Sequence, residues 1–266
     1  MSHALIVLFF TFGLFLGMLL FLEIGRRAGI RRMKEETAGE GVGAVDGAVF
    51  ALLGLLLAFT FSGASSRFDT RRQLIVEETN DIGTAYLRLD LLPANAQPAL
   101  RDSFRRYLDA RLEVYRKLPD VAAAKEFLAK ANELQGQIWR QAVAASHAQG
   151  APPDAPILLL PALNAMIDIT TTRTMATQMH PPAIVFLMLF GLALAASLLA
   201  GYGMTGSKVR CWFHMVGFAL VMAVAVYVIL DIEYPRLGLI RVDAFDQALI
   251  DLRESMNRDI QNPGQK

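Results

Sequence analysis

The chain has 266 residues, 54% of them apolar and 19% charged, with a formal net charge of only +1 at pH 7. A balance so near neutral gives no electrostatic footprint for nucleic acid. The single cysteine, Cys211, excludes a disulfide framework and any cysteine-based zinc site, and at the edge of an apolar run it reads as a small hydrophobe.

Residues 4–22 form an apolar run free of Asp, Glu, Lys and Arg, and three more such runs follow at 47–66, 183–207 and 211–230. At 1.5 Å per residue, about 19 residues cross a hydrocarbon core of about 30 Å. Backbone groups in lipid must bond internally, so each run reads as a membrane-spanning helix, the third over about 183–203. The first run lacks a basic n-region and exceeds the length of a signal-peptide h-region, so it reads as a retained anchor.

The spans pair into two hairpins. The first tip, "EIGRRAGIRRMKEETAGEGVG", carries Arg26, Arg27, Arg31, Arg32 and Lys34; the second, "GMTGSKVR", carries Lys208 and Arg210. Pro181-Pro182 opens the third span, where a helix start tolerates missing N–H groups. The organisation expected is a first hairpin over 1–66, a helical extramembrane domain over 67–180, a second hairpin over 181–231 and a tail over 232–266. The fold class is all-α, a polytopic membrane protein.

Small residues recur at helix-packing spacing: Gly13 and Gly17; Gly47 and Ala51; Gly54, Ala58 and Ser62; Ala193, Ser197 and Gly201. Such faces let membrane helices approach closely, within one subunit or between subunits. On the second span Phe50, Leu53, Leu57 and Phe61 fall on one stripe at i, i+3, i+7 and i+11. The stripe reads either as lipid-facing or as an apolar constriction around an oligomer axis.

No Pro interrupts residues 50–92. The second span is therefore expected to run unbroken from near Gly47 past Arg72 to about Leu91. Such a helix of about 45 residues would reach roughly 65 Å and couple the membrane bundle to the helical domain. Beyond the span, Phe68, Ile75, Ile82, Tyr86 and Leu89 keep helical spacing with charges between them. "LLPANAQP" breaks the chain. A helix over 99–117 follows, carrying Leu100, Phe104, Tyr107, Leu108, Leu112 and Tyr115 on one side. Asp120 after "LP" is the expected N-cap of an alanine-rich helix reaching about 147. "QGAPPDAP" is a loop, and a helix over 157–179 is expected to carry Leu160, Leu163, Ile167 and Thr170 towards the third span.

The chemistry is sparse. His3, His147, His180 and His214 are scattered without metal-ligand spacing, and no nucleotide or nucleophile motif occurs. Glu77, Glu78 and Asp81 form either a metal-binding cluster or a solvated face salt-bridged to Arg71, Arg72 and Arg88, and the second reading is preferred. His214 near the membrane edge reads as interfacial rather than as a proton relay. No catalytic residue, cofactor site or metal site is assigned. After the last span, "DIEYPRLGLIRVD" places Asp231, Glu233, Arg236, Arg241 and Asp243 where the chain leaves the lipid. With Arg67, Arg71 and Arg72 these make a charged collar, either a structural network or an ion vestibule. Spans two and four should end at one membrane face, so Arg67 or Arg71 is expected near one of those acids.

Three blocks carry a family resemblance: "GAVFALLGLLLAFTFSGASSRFDTRRQLIVEETNDIGTAYLRLDLLP", "LNAMIDITTTRTMATQMHPPAIVFLMLFGLALAASLLAGYGMTG" and "DIEYPRLGLIRVD". In that order the chain resembles the bestrophin-like DUF4239 proteins of bacteria and plants, and more distantly the bestrophins, which are pentameric anion channels. The resemblance implies a homo-oligomeric ring with the second span lining the pore and an anion as permeant ion. It sets the bestrophin constriction loosely against Phe50, Leu57 and Phe61, and the arginine motif against Arg67-Phe68 and Arg71-Arg72. The tryptophan pair usual in that motif is absent, and no calcium clasp is visible.

Two function classes follow. One is an ion channel; the other is a non-conducting scaffold or sensor whose helical domain binds a partner. Either sits in a lipid bilayer, in a bacterial cell the inner membrane. Counting charges in short loops places the hairpin tips in the cytoplasm and the helical domain outside, whereas the bestrophin likeness places that domain inside. We follow the charge count.

Overall fold

The computed structural model describes residues 3–33, 42–204 and 212–261. Lys34, Lys208, Arg210 and Cys211 lie outside the described residues. Among those described, every regular element is helical: α1 (His3–Met33), α2 (Val42–Leu87), α3 (Gln97–Arg116), α4 (Val121–Ser146), α5 (Ala155–Gln178), α6 (Ala183–Gly203), α7 (Trp212–Glu233) and α8 (Gln247–Gln261). The helix through the second span is continuous, and a 3-10 turn at Arg88–Leu91 finishes it. The chain divides into two compact units, Met1–Phe68 with His180–Ile240 and Asp69–Met179 with Arg241–Lys266.

The first unit holds α1, the first half of α2, α6 and α7, within the four helical stretches long and apolar enough to cross a membrane. The chain is a multi-pass membrane protein. Its tightest joint is between α1 and α6, where the backbones touch. A Cβ added at Gly25 would fall on the Leu198 carbonyl, and one at Gly201 on the Leu22 carbonyl. Only glycine permits that approach. Ala193 and Ser197 are buried on the same side of α6, whereas Gly13 of the expected Gly13–Gly17 pair meets open space. Leu14, Met18 and Leu22 of α1 then share a core with Leu189 of α6 and with Met215, Ala219 and Val226 of α7. Phe9, Leu187 and Val221 stay exposed, as suits a hydrocarbon solvent.

The second unit packs the latter part of α2 with α3, α4, α5 and α8. Ile82, Tyr86 and Leu89 meet Phe104, Tyr107 and Leu108 of α3, Leu134 and Ile138 of α4, and Leu159 and Leu163 of α5. Asp120 caps α4 as expected, accepting from the amides of Ala122 and Ala123 at 3.1 Å each. Two expectations give way here. Leu163 and Thr170 face this unit's own core rather than the third span, because Thr170 bonds Tyr107 and Gln135 across α3 and α4. The stretch read as a tail contains α8, which buries Leu249 and Met256 and pairs Arg253 with Asp109 of α3 at 2.7 and 3.0 Å.

The glycine joint makes a direct prediction. Gly201→Val should destabilise the solubilised protein by about 1–3 kcal/mol through overpacking, read as a lowered thermal unfolding midpoint. Gly13→Ala, which meets no neighbour, should stay within about 0.5 kcal/mol of wild type. Equal midpoints for the two variants would contradict the close joint.

Candidate functional site

The second span presents two unlike faces. Leu53 is 3% exposed and Ala64 is fully buried, while Val49, Phe50, Leu56 and Leu57 pack beside the first unit's core. Phe50 meets Phe218 of α7 edge to face, with centroids 6.3 Å apart. Phe61 is 47% exposed. The stripe Phe50, Leu53, Leu57 and Phe61 is therefore not one open face. Leu53 in particular is held inside the protomer, because α2 turns that side to the other spans. The opposite face, carrying Ala51, Leu55, Ala58, Phe59 and Ser62, is exposed.

At the far end of this span Arg67 reaches across to α7. Its Nε lies 2.9 and 3.1 Å from the Glu233 carboxylate oxygens and its Nη2 lies 2.7 Å from Oε2. Glu233 is fully buried, and His180 Nδ1 stands 2.9 Å from its other oxygen while the imidazole stacks on Tyr234. The bidentate fork is what makes burial of that carboxylate tolerable. Asp231, also buried, accepts the amides of Leu239 and Ile240 at 2.7–3.0 Å, which folds the segment after α7 back onto its own helix end. Gly238 is required there, since a Cβ would strike the Asp231 carboxylate.

Of the other residues proposed for the collar, Arg71, Arg72, Arg241 and Asp243 belong to the second unit and Arg236 to the first. Arg71 donates to the carbonyls of Ala176 and Met179 at 3.1 and 2.9 Å. Arg72 bonds Asp69 and lies over the Phe245 ring at 4.2 Å. Arg241 pairs locally with Asp243 at 2.6 Å. Arg236 follows Pro235 and is half-buried.

The second unit also contains a charge network that the periodicity did not reveal. Glu78, expected on a solvated face, is fully buried well beyond the apolar run that ends at Ser66. Arg111 Nε donates to its Oε1 at 2.6 Å and Arg173 donates to its Oε2. Arg173 also reaches Asp246 at 3.2 Å and stacks over Tyr115 at 3.9 Å, while Arg111 donates to the Tyr115 hydroxyl at 2.6 Å. Two guanidiniums thus meet two carboxylates, so the buried cluster is neutral. Burial alone would raise the Glu78 carboxyl, but the Arg111 and Arg173 charges reverse this and hold it below the ordinary range. Burial pushes the neighbouring Tyr107 hydroxyl up to about 12. Glu77 stays exposed. Asp81 is raised by partial burial and by the charges of Glu77 and Glu78. No group of three or more His, Cys, Asp or Glu side chains among the described residues is arranged to hold a metal. His147 and His214 stand apart from both clusters, His214 exposed at the start of α7.

The profile of the bestrophin-like domain matches residues 4–244. No curated protein matches the chain significantly. Two crystal structures share the fold, both variants of a bacterial bestrophin homologue from Klebsiella pneumoniae, one with a tyrosine and one with a tryptophan replaced by alanine. The first is 16% identical with a TM-score of 0.63, covering 89% of this chain and 98% of its own. The second is 16% identical with a TM-score of 0.67, covering 93% of this chain and 98% of its own.

Glu78→Gln should destabilise the protein at neutral pH by about 3–5 kcal/mol, because it leaves two buried guanidiniums short of a counter-charge. The Glu78 carboxyl is depressed when folded and regains its ordinary value of 4.5 on unfolding. Its contribution is therefore complete above that pH and is lost as the pH falls through the folded value. Unfolding followed by circular dichroism, at neutral pH and in an acid series, checks both points. A variant as stable as wild type at neutral pH would contradict the network's role.

Proposed function

The chain belongs to the bestrophin-like family, and on that footing we propose that it is a homo-oligomeric ion channel in which the open face of α2 lines the pore. One observation carries this reading: only 11% of the most apolar stretch of α2 is buried, against 28, 22 and 39% for the other spans. A span so poorly covered by its own chain is suited to an axis shared with other copies. Its exposed face carries Ala51, Leu55, Ala58 and Ser62 at i, i+4, i+7 and i+11. The small residues let identical helices come close. Leu55, with Phe59 beside it, supplies an apolar neck that gates by wetting. This moves the lining away from the Phe50, Leu53 and Leu57 side, which serves packing instead. The permeant ion is an anion on the likeness to bestrophins, and no enzymatic step is proposed.

Ion flux from liposomes reconstituted with pure protein tests the reading. Leu55→Ser should raise resting flux, since a hydroxyl in the neck lowers the cost of wetting. Leu57→Ser should leave flux at the wild-type level and lower stability by about 1–3 kcal/mol, the usual range for an unfavourable buried substitution. Unchanged flux from a folded Leu55→Ser oligomer, beside measurable wild-type flux, would remove this face from the pore. No flux from either, together with a monomeric mass, would favour the scaffold or sensor.

A further inference from the structure

We propose that the hairpin-tip end of α1 is a binding surface for the headgroup of an anionic phospholipid, with Arg27 and Arg31 holding the phosphodiester and Leu20 and Ile24 lying along its acyl chain. These four residues follow one another at i, i+4, i+7 and i+11, so they share one face of the helix. All four are exposed, Leu20 by 58%, Ile24 by 45% and the Arg27 side chain by 67%. The face is greasy, then cationic, in the order in which a lipid presents its tail and head.

The depth fits. Arg27 stands five residues past the apolar run that ends at Leu22, or about 7–8 Å along the axis. The headgroup layer occupies roughly 5–7 Å beyond each side of the hydrocarbon core. Arg31 lies one turn higher, but side chains on a helix lean towards its N-terminus, which here means back towards the bilayer. Independent markers fix the same level. Trp212 and Phe213 are exposed at the start of α7, and Tyr202 ends α6, as aromatic side chains do at a membrane interface.

The surface is also preorganised. The α1–α6 glycine joint lies just beneath it, and Arg32 donates to the Tyr202 hydroxyl at 3.0 Å, tying the two helix ends together. Four arginines (26, 27, 31 and 32) against the one acid, Glu23, leave this end of α1 at +3. Arg31 lies in the last turn, where helix-end electrostatics favour a cation, but that effect fades within the turn and does not reach Arg27. At the opposite end of the unit Arg67 is neutralised by buried Glu233. At the hairpin-tip end Arg27 Nε meets Glu23 Oε1 at 2.8 Å, yet its side chain stays 67% exposed, and Arg31 is exposed on the same face. An acidic peptide or free phosphate would use the arginines but not the apolar pair beneath them; the phospholipid uses both. The inference does not depend on conduction.

The test titrates phosphatidylglycerol or phosphatidylcholine into the detergent-solubilised full chain and counts retained lipid by native mass spectrometry. The wild type should retain phosphatidylglycerol in preference to phosphatidylcholine. Arg27→Gln with Arg31→Gln should weaken phosphatidylglycerol binding about 25-fold, at about fivefold per arginine on a charged membrane surface. Arg27→Lys with Arg31→Lys, which keeps a point charge for the phosphate but not the guanidinium fork, should bind more tightly than the glutamine pair, which separates lost charge from lost folding. Arg106→Gln, an exposed arginine on α3, should change nothing. Inorganic phosphate at the same concentration should not displace the lipid. Equal retention of the two lipids by wild type, undiminished binding by the glutamine pair, an equal loss in Arg106→Gln, or displacement by phosphate would each overturn the proposal.

Discussion

A helix in lipid satisfies its own backbone, so side-chain packing alone decides which of its faces is covered. In this chain α1 and α6 are locked by backbone contact at Gly25 and Gly201, and α7 fills the groove beside α1. The membrane half of α2 is left with one covered side, through Leu53 and Ala64, and a pin at its end, Arg67 to Glu233. The proposed channel follows from the side that remains open. A span held mainly by one edge and a terminal ion pair can present its other edge to further copies without dismantling the protomer.

The second unit solves a different problem. Its core is apolar around Phe104, Leu108 and Ile138, yet it also contains Glu78, Arg111 and Arg173. Such a cluster stabilises little relative to apolar side chains of the same shape. It does penalise any arrangement that separates the partners. Because Arg173 also binds Asp246, the segment leading into α8 takes part in that balance. Arg72 over Phe245 holds the neighbouring residue.

Much of this was legible in the sequence, and the failures have physical causes. Four charge-free runs announced the spans, and the absence of proline announced a continuous α2. Asp120 announced its cap. Periodicity sends charged residues to solvent, so Glu78 was placed on a wet face. Yet it stands three residues after Ile75 and four before Ile82, inside the buried stripe. Arg111 likewise shares a face with Phe104 and Tyr107. A charge at an apolar position implies a buried partner, but the partners are 33 and 95 residues from Glu78 and no local pattern names them. The α2 face was illegible for the opposite reason. A span apolar all round has no preferred side, so Phe50, Leu53 and Leu57 looked no different from Ala51, Leu55 and Ala58. α8 was read as tail because two buried side chains, Leu249 and Met256, are a thin signal among polar neighbours.

The central claim is that the open face of α2 borders water rather than lipid. Ala58→Cys in a Cys211→Ser background, treated with a charged thiol reagent after reconstitution into liposomes, tests it most directly. The account predicts that the introduced thiol is modified from the aqueous phase and that modification changes ion flux, because a charge then sits in the pore. A thiol that stays unmodified in a folded, conducting protein would contradict it.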